Sequence, residues 1–282
     1  MPPALPSPSS IIRNGLTQRV RSVFNDEARG EQPVLRSDAA MFDQNSVIWR
    51  VHGDVTTMMV GGVTALLLQM LHPAALSGIW DHSSFRDDML GRLRRTARFI
   101  AVTTFGHRDD SAAIIEKVIS VHKRVGGTLA GGAPYSANDP HLLSWVHLAE
   151  AISFLDAWIR YAEPGMSAAD QDQYFAEFAI IAIALGADKV PKSRAEAAAL
   201  MRVFLPELSA DARTFEVAHI VLNQPPPHPS AAPVQGIIMR AAVDLLPIWA
   251  RQMHKLQRPK GLPIVRGVTT TIASTLRWAF AS

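Results

Sequence analysis

His122 sits in the segment ISVHKRVGG, Ile119 to Gly127, where the pattern calls for an apolar side chain. Ile115, Val118, His122 and Val125 recur at helical spacing and line one face of a predicted helix, with Glu116, Lys117, Ser120, Lys123 and Arg124 on the other. An inward imidazole is either a core histidine bonded to a carbonyl or a neutral ligand for iron or zinc. The spacing alone leaves both readings open. His147 is the competitor, because Leu143, His147, Ala151, Phe154 and Trp158 form one stripe of another predicted helix. In a third, Phe85, Met89, Arg92, Thr96, Phe99 and Thr103 share a face, which puts Arg92 and Thr96 one turn apart with Arg95 at the border. An inward guanidinium requires a carboxylate or a bound anion. Asp87 and Asp88 are the nearest acids that could pair with Arg92.

Other chemistries lack their residues. The chain has no cysteine, which removes disulfides, iron–sulfur clusters, thiolate-ligated haem, cysteine zinc sites and cysteine nucleophiles together. A di-iron carboxylate bundle needs paired Glu-x-x-His motifs, and only Glu216 to His219 occurs. No His-Glu-x-x-His, nucleophile elbow, phosphate loop or dinucleotide fingerprint is present. Any metal or haem must therefore be held by nitrogen or oxygen.

The elements that would carry these residues read as successive helices, so the predicted class is all-α, a single multi-helix domain. Asp54 to Trp80 is apolar, with Gly61-Gly62 permitting close backbone approach and Pro73 imposing a kink or break. Helices follow from about Phe85 to Phe105 and from Ser111, read as the cap, to Val125, where Gly126-Gly127 stops the run. The next opens with Asp139 as cap and Pro140 at the first position, and stops at Pro164-Gly165. Ala168 to Leu185, Ser193 to Phe204 and Asp211 to Leu222 continue the pattern, and PPPHPSAAP (Pro225 to Pro233) breaks it before a last helical pair. The expected organisation is a loosely packed N-terminal arm over 1–40, a helical core over 41–224 and a C-terminal helical extension over 225–282.

Several of these pieces occur in one order. QMLHP (Gln69 to Pro73), SSFRDD with RLRRT (Arg92 to Thr96), Phe105-Gly106, VHKRVGG and YSANDPHLLSWVH (Tyr135 to His147) together resemble the catalytic domain of latex-clearing-protein-type rubber oxygenases and the MpaB-type oxygenases. The resemblance is strongest over about Val47 to Trp158. It implies a globin-like helical core around haem b and oxidative cleavage of an isoprenoid double bond with dioxygen. By the same resemblance His122 matches the iron-ligating histidine, and Arg92 and Thr96 match a functional arginine and threonine. One departure stands out: Arg95 occupies the place of a lysine able to reach the iron, and a guanidinium has no free lone pair for ligation. The family's glutamate has no evident counterpart; Asp81 and Asp87 are acids nearby. Arg92, Thr96 and Arg95 form the candidate catalytic set, and His122, Arg92 and His147 the candidate cofactor-binding set.

The bulk numbers agree with a globular protein. The chain has 282 residues, 48% hydrophobic and 19% charged, with a net charge of +3. No basic run is interleaved with aromatics, so nucleic acid is not an expected partner. FAIIAIALGA, Phe178 to Ala187, is far shorter than a membrane span, and VTTTIASTLRWAF is read as a docked terminal helix, with contact to a membrane surface as its alternative. The N-terminus, MPPALPSPSS, has no signal-peptide pattern, so a cytoplasmic location is expected and rubber is not the expected substrate. Three functions follow: a haem-dependent oxygenase for a small apolar unsaturated molecule, a haem-binding sensor or carrier, or a helical lipid-binding protein without cofactor.

Overall fold

A computed structural model of the protein describes residues 8–25 and 30–281; most of the proline-rich opening lies outside the described residues. Thirteen α-helices and one two-stranded ribbon make up the described chain, which bears out the all-α class.

The centre is a pair of helices, α3 (Val55–Gln69) and α7 (Pro140–Tyr161), in the most extensive helix contact of the fold. α3 is apolar almost throughout and buried on most of its circumference, and Asp54 caps it by accepting from Thr57 N at 2.8 Å. The approach to α7 is set by Gly61, where a Cβ would lie 2.8 Å from Phe154 Cδ1 and 2.9 Å from Ser153 O. Only glycine fits there. α7 begins as its sequence predicts: Asp139 Oδ1 accepts from His141 N and Leu142 N, and Pro140 occupies the first turn. Its stripe of Leu143, His147, Ala151, Phe154 and Trp158 is buried along its whole length. α7 is long and apolar enough by composition to cross a membrane, but 72% of its apolar window is packed inside the protein.

Pro73 breaks the chain as expected. α4 (Pro73–His82) leaves α3 at 103°, and His72 caps it through Nδ1, which accepts from Ala74 N at 3.2 Å. α2 (Val47–His52) and α8 (Ala168–Leu185) pack beside α3 and α7, and α9 (Arg194–Phe204) and α10 (Ala212–Asn223) close the far side. α11 (Ala232–Leu245) lies on α3, tied by Thr64 Oγ1 donating to Ala242 O at 3.1 Å, and α12 (Ile248–Met253) follows it. α13 (Leu262–Phe280), the predicted docked terminal helix, packs on α11 and α3. Its Arg277 reaches buried Asp54 at 2.6 Å.

Four details differ from the sequence reading. α5 (Met89–Phe105) starts later than expected, because Asp88 caps it through Gly91 N at 2.8 Å. α6 (Arg108–His122) starts three residues before Ser111: His107 takes the cap, and Asp109 and Asp110 suit the positive first turn. Ser111 Oγ instead bonds back to Val102 O at 3.0 Å, and α6 ends at His122 rather than Val125. The glycine pair continues as β1 (Gly126–Thr128), paired antiparallel with β2 (Pro134–Ser136). The segment read as a loose arm carries α1 (Pro8–Phe24), which packs on α13 and α5 and receives Arg94 on the carbonyls of Ser22 and Val23.

Candidate functional site

A cavity of about 1460 Å³ opens between α1, α3, α5, α7, α11 and α13. It is larger than the roughly 300–1,000 Å³ usual for one small-molecule site. Met58, Met59, Leu66, Phe99, Ile100 and Phe178 give it an apolar lining. Among the described lining residues seven are arginines and one, Glu150, is an acid.

One wall comes from α5 and the end of α6. His122, Arg92, Thr96 and Arg95 all border the cavity, so the structure brings the predicted residues together. His122 is half-buried at the last position of its helix, and of its α6 stripe only Ile115 is fully buried. Its Nδ1 is shielded and has no hydrogen-bond partner among the described residues, and the residue borders the cavity. Asn138 Nδ2 donates to Ile119 O at 3.0 Å, which leaves the shielded and partnerless Asn138 Oδ1 as an acceptor beside the ring. Burial lowers the His122 pKa, the Asn138 amide opposes that shift, and the Arg92 charge adds to it. The imidazole is therefore neutral at pH 7, with a lone pair to give.

Among the described residues Arg92 has no carboxylate partner. Its one hydrogen bond runs from Nη1 to Ser83 Oγ at 3.4 Å, and burial with the nearby Arg95 charge pulls its pKa down to about 10. Asp88, one of the acids that could have paired with it, caps α5 and sits 3.5 Å from Arg95 instead. Arg95 is exposed at the rim. Thr96 is exposed to the cavity space, and its Oγ1 makes only a long 3.3 Å bond to Arg92 O.

The opposite wall comes from α3 and α7, with α2 and α8 behind it. His147 is buried, packs edge-on to Phe178 at 4.7 Å between centroids, and keeps a shielded Nε2 without partner. Burial takes its pKa down to about 3. His52 is taken up completely: Nδ1 meets Thr104 Oγ1 at 2.8 Å and Nε2 meets Tyr174 OH at 3.0 Å. Burial, reinforced by His147, holds it near 3 as well. Glu150, three residues beyond His147 on α7, accepts from Gln69 Nε2 at 3.3 Å, and burial lifts its pKa to about 7 against that bond. The sequence reading missed Glu150. The available signal was a lone carboxylate in an apolar helix at i+3 from a stripe histidine.

The remaining candidates lie elsewhere. Asp81 accepts from Tyr135 OH at 2.9 Å. Glu216 pairs with Arg86 at 2.9 Å and His219 with Asn223, so that spacing serves the surface. Among the described residues no three His, Asp or Glu side chains converge to cage a metal ion.

Residues 49–278 match the catalytic domain described as ER-bound oxygenase mpaB/B'/rubber oxygenase, and the chain belongs to that family of oxygenase domains. No curated protein and no solved structure gives a significant match.

Proposed function

We propose that the protein is a haem-b-dependent oxygenase that uses dioxygen to oxidise or cleave a small apolar unsaturated molecule of isoprenoid or lipid type. The observation that carries this reading is His122, a neutral imidazole on the wall of a large apolar cavity, with one nitrogen sealed beside Asn138 and an unpaired arginine within electrostatic reach.

The residues fit the group. A porphyrin brings four of the metal's ligands and needs one good nitrogen from the protein, which suits a site with no cage of side chains. His122 would supply that nitrogen. Asn138 Oδ1 is placed to accept from Nδ1–H, which would fix the tautomer and leave the Nε2 lone pair toward the cavity. Arg92 would pair with a propionate, in a lining whose arginines far outnumber its acids among the described residues. The volume leaves room for a second guest beside the cofactor.

When bound, haem b supplies the dioxygen chemistry that no side chain here provides. The chain's own residues do the rest. The methionine, leucine and phenylalanine lining excludes water and holds a hydrocarbon. Arg92 balances an anionic group, and Thr96 can turn its loosely held hydroxyl into the cavity as a donor. Arg95, tied to Asp88, adds positive field at the rim and cannot ligate.

His147 is the one residue that supports a second ligand assignment, because its Nε2 also lacks a partner. Protein purified after expression with ample haem should show a Soret band. His122→Ala should lose that band with its helical circular dichroism intact, and His147→Ala should keep it. The opposite pattern would move the ligand role to His147. Oxygen uptake with isoprenoids separates an oxygenase from a haem carrier, and a featureless spectrum with lipid binding retained would mean a cofactor-free lipid-binding protein.

A further inference from the structure

The α7 wall holds an acid for which the haem reading has no use. Among the described residues Glu150 is the one acid in the cavity lining. One of its oxygens accepts from Gln69; the other has no protein partner and abuts the open cavity. Gln69 is itself committed, donating to Glu150 and, at 3.4 Å, to Val146 O. His52 cannot complete the group, because Thr104 and Tyr174 occupy both its nitrogens. His147 stands one turn away on the same helix, also without a partner for Nε2. Around them lie Leu143, Phe154, Phe178 and Ile181.

We propose that Glu150 is a subsite that holds an accepting oxygen on an otherwise apolar substrate: a ketone, ester or hydroxyl group at one end of a hydrocarbon chain. The proposal rests on the cavity being a substrate chamber and deepens that reading by naming the substrate class. Shielding from bulk water keeps the Glu150 carboxyl protonated in mildly acidic solution, and a protonated carboxyl donates one hydrogen bond. A ligand oxygen can accept that hydrogen bond inside the cavity, where a methylene cannot. An anionic head group belongs at the arginine wall, away from the one acid, whereas the ring of aromatic and aliphatic side chains around Glu150 suits a neutral chain. The subsite would thus orient a substrate by its oxygenated end and leave the hydrocarbon part to extend along the cavity.

The test uses the purified full chain at pH 6 and displacement of Nile red, with 2-dodecanone and dodecane as competing probes. The ketone only accepts, so its advantage reports a donor in the cavity. The ratio of ketone to alkane affinity should be about fivefold higher in wild type than in Glu150→Leu, the effect of one net hydrogen bond of about 1 kcal/mol. Glu150→Gln, whose amide still donates, should keep the wild-type ratio. The same ratio in wild type and Glu150→Leu would overturn the proposal and leave Glu150 bonded to water only. A ratio in Glu150→Gln as low as that of Glu150→Leu would overturn it too. The Soret band, recorded on the same samples, reports the haem reading separately: a ketone preference without haem keeps the subsite and removes the cofactor.

Discussion

The two walls of the cavity are built on opposite principles. Along α3 and α7 the helices touch so closely that Gly61 leaves no space for a methyl group, and His147, His52 and Glu150 are held with charge suppressed. Along α5 and α6 the chemical groups are half-buried, stand at a helix end or beside a short ribbon, and keep positive charge through Arg92 and Arg95. The first wall fixes shape, and the second fixes field. The difference teaches that a site can take its rigidity from one side and its ligands from the other. Helix ends and ribbons open locally at lower cost than a central helix pair, so a cofactor would enter from the α5–α6 side.

The largest test of this contrast concerns Glu150. Its folded pKa of about 7 lies above the ordinary carboxyl value of 4.5, so its contribution to stability is full below pH 4.5 and is lost as the pH rises through 7. Glutamine does not ionise. The stability of Glu150→Gln relative to wild type should therefore rise by up to about 3 kcal/mol between pH 4.5 and pH 8, read by urea titration at each pH. His52 and His147, lowered to about 3, act in the opposite sense: their contribution is present above pH 6.5 and falls away toward pH 3. Both are common to the two proteins and cancel in the difference. A flat difference would mean that Glu150 is open to bulk water and that the rigid wall is not sealed.

A smaller effect is expected at Gly61. Alanine there must push α7 away at its backbone, and should cost about 1–3 kcal/mol in thermal or urea unfolding. The smallest belongs to Asn138. On the proposed haem reading, Asn138→Ala should weaken haem retention about tenfold, measured by transfer to apomyoglobin, and leave unfolding nearly unchanged. If Asn138→Ala unfolded the protein, or Gly61→Ala cost nothing, the division between a shape-giving and a field-giving wall would collapse.

Much of the first wall was legible in the sequence. The α7 stripe, its Asp139–Pro140 start, the Pro73 break and the close approach at Gly61 follow from spacing, capping chemistry and backbone sterics, which are local rules. On the second wall, Arg92, Thr96 and His122 were legible as candidates, but their surroundings were not. Asn138 lies in a loop with no periodicity, and it meets His122 only because the chain doubles back through the β1–β2 ribbon. The start of α6 was misplaced because a histidine side chain, His107, took the cap that Ser111 would usually provide. Glu150 escaped notice because period analysis discounts a single carboxylate beside an apolar stripe, although tertiary burial is what raises its pKa. α1 could not be read from its own composition, since its contacts lie on α13 at the other end of the chain.

Asp54 begins the central helix and, 223 residues later, meets Arg277. During synthesis that carboxylate emerges early and must remain in water until the guanidinium follows, because burying it alone is strongly unfavourable. The last helix also forms part of the chamber's lining. Assembly therefore has an order: the apolar pair can collapse first, and the α13 part of the lining is completed when Arg277 reaches Asp54.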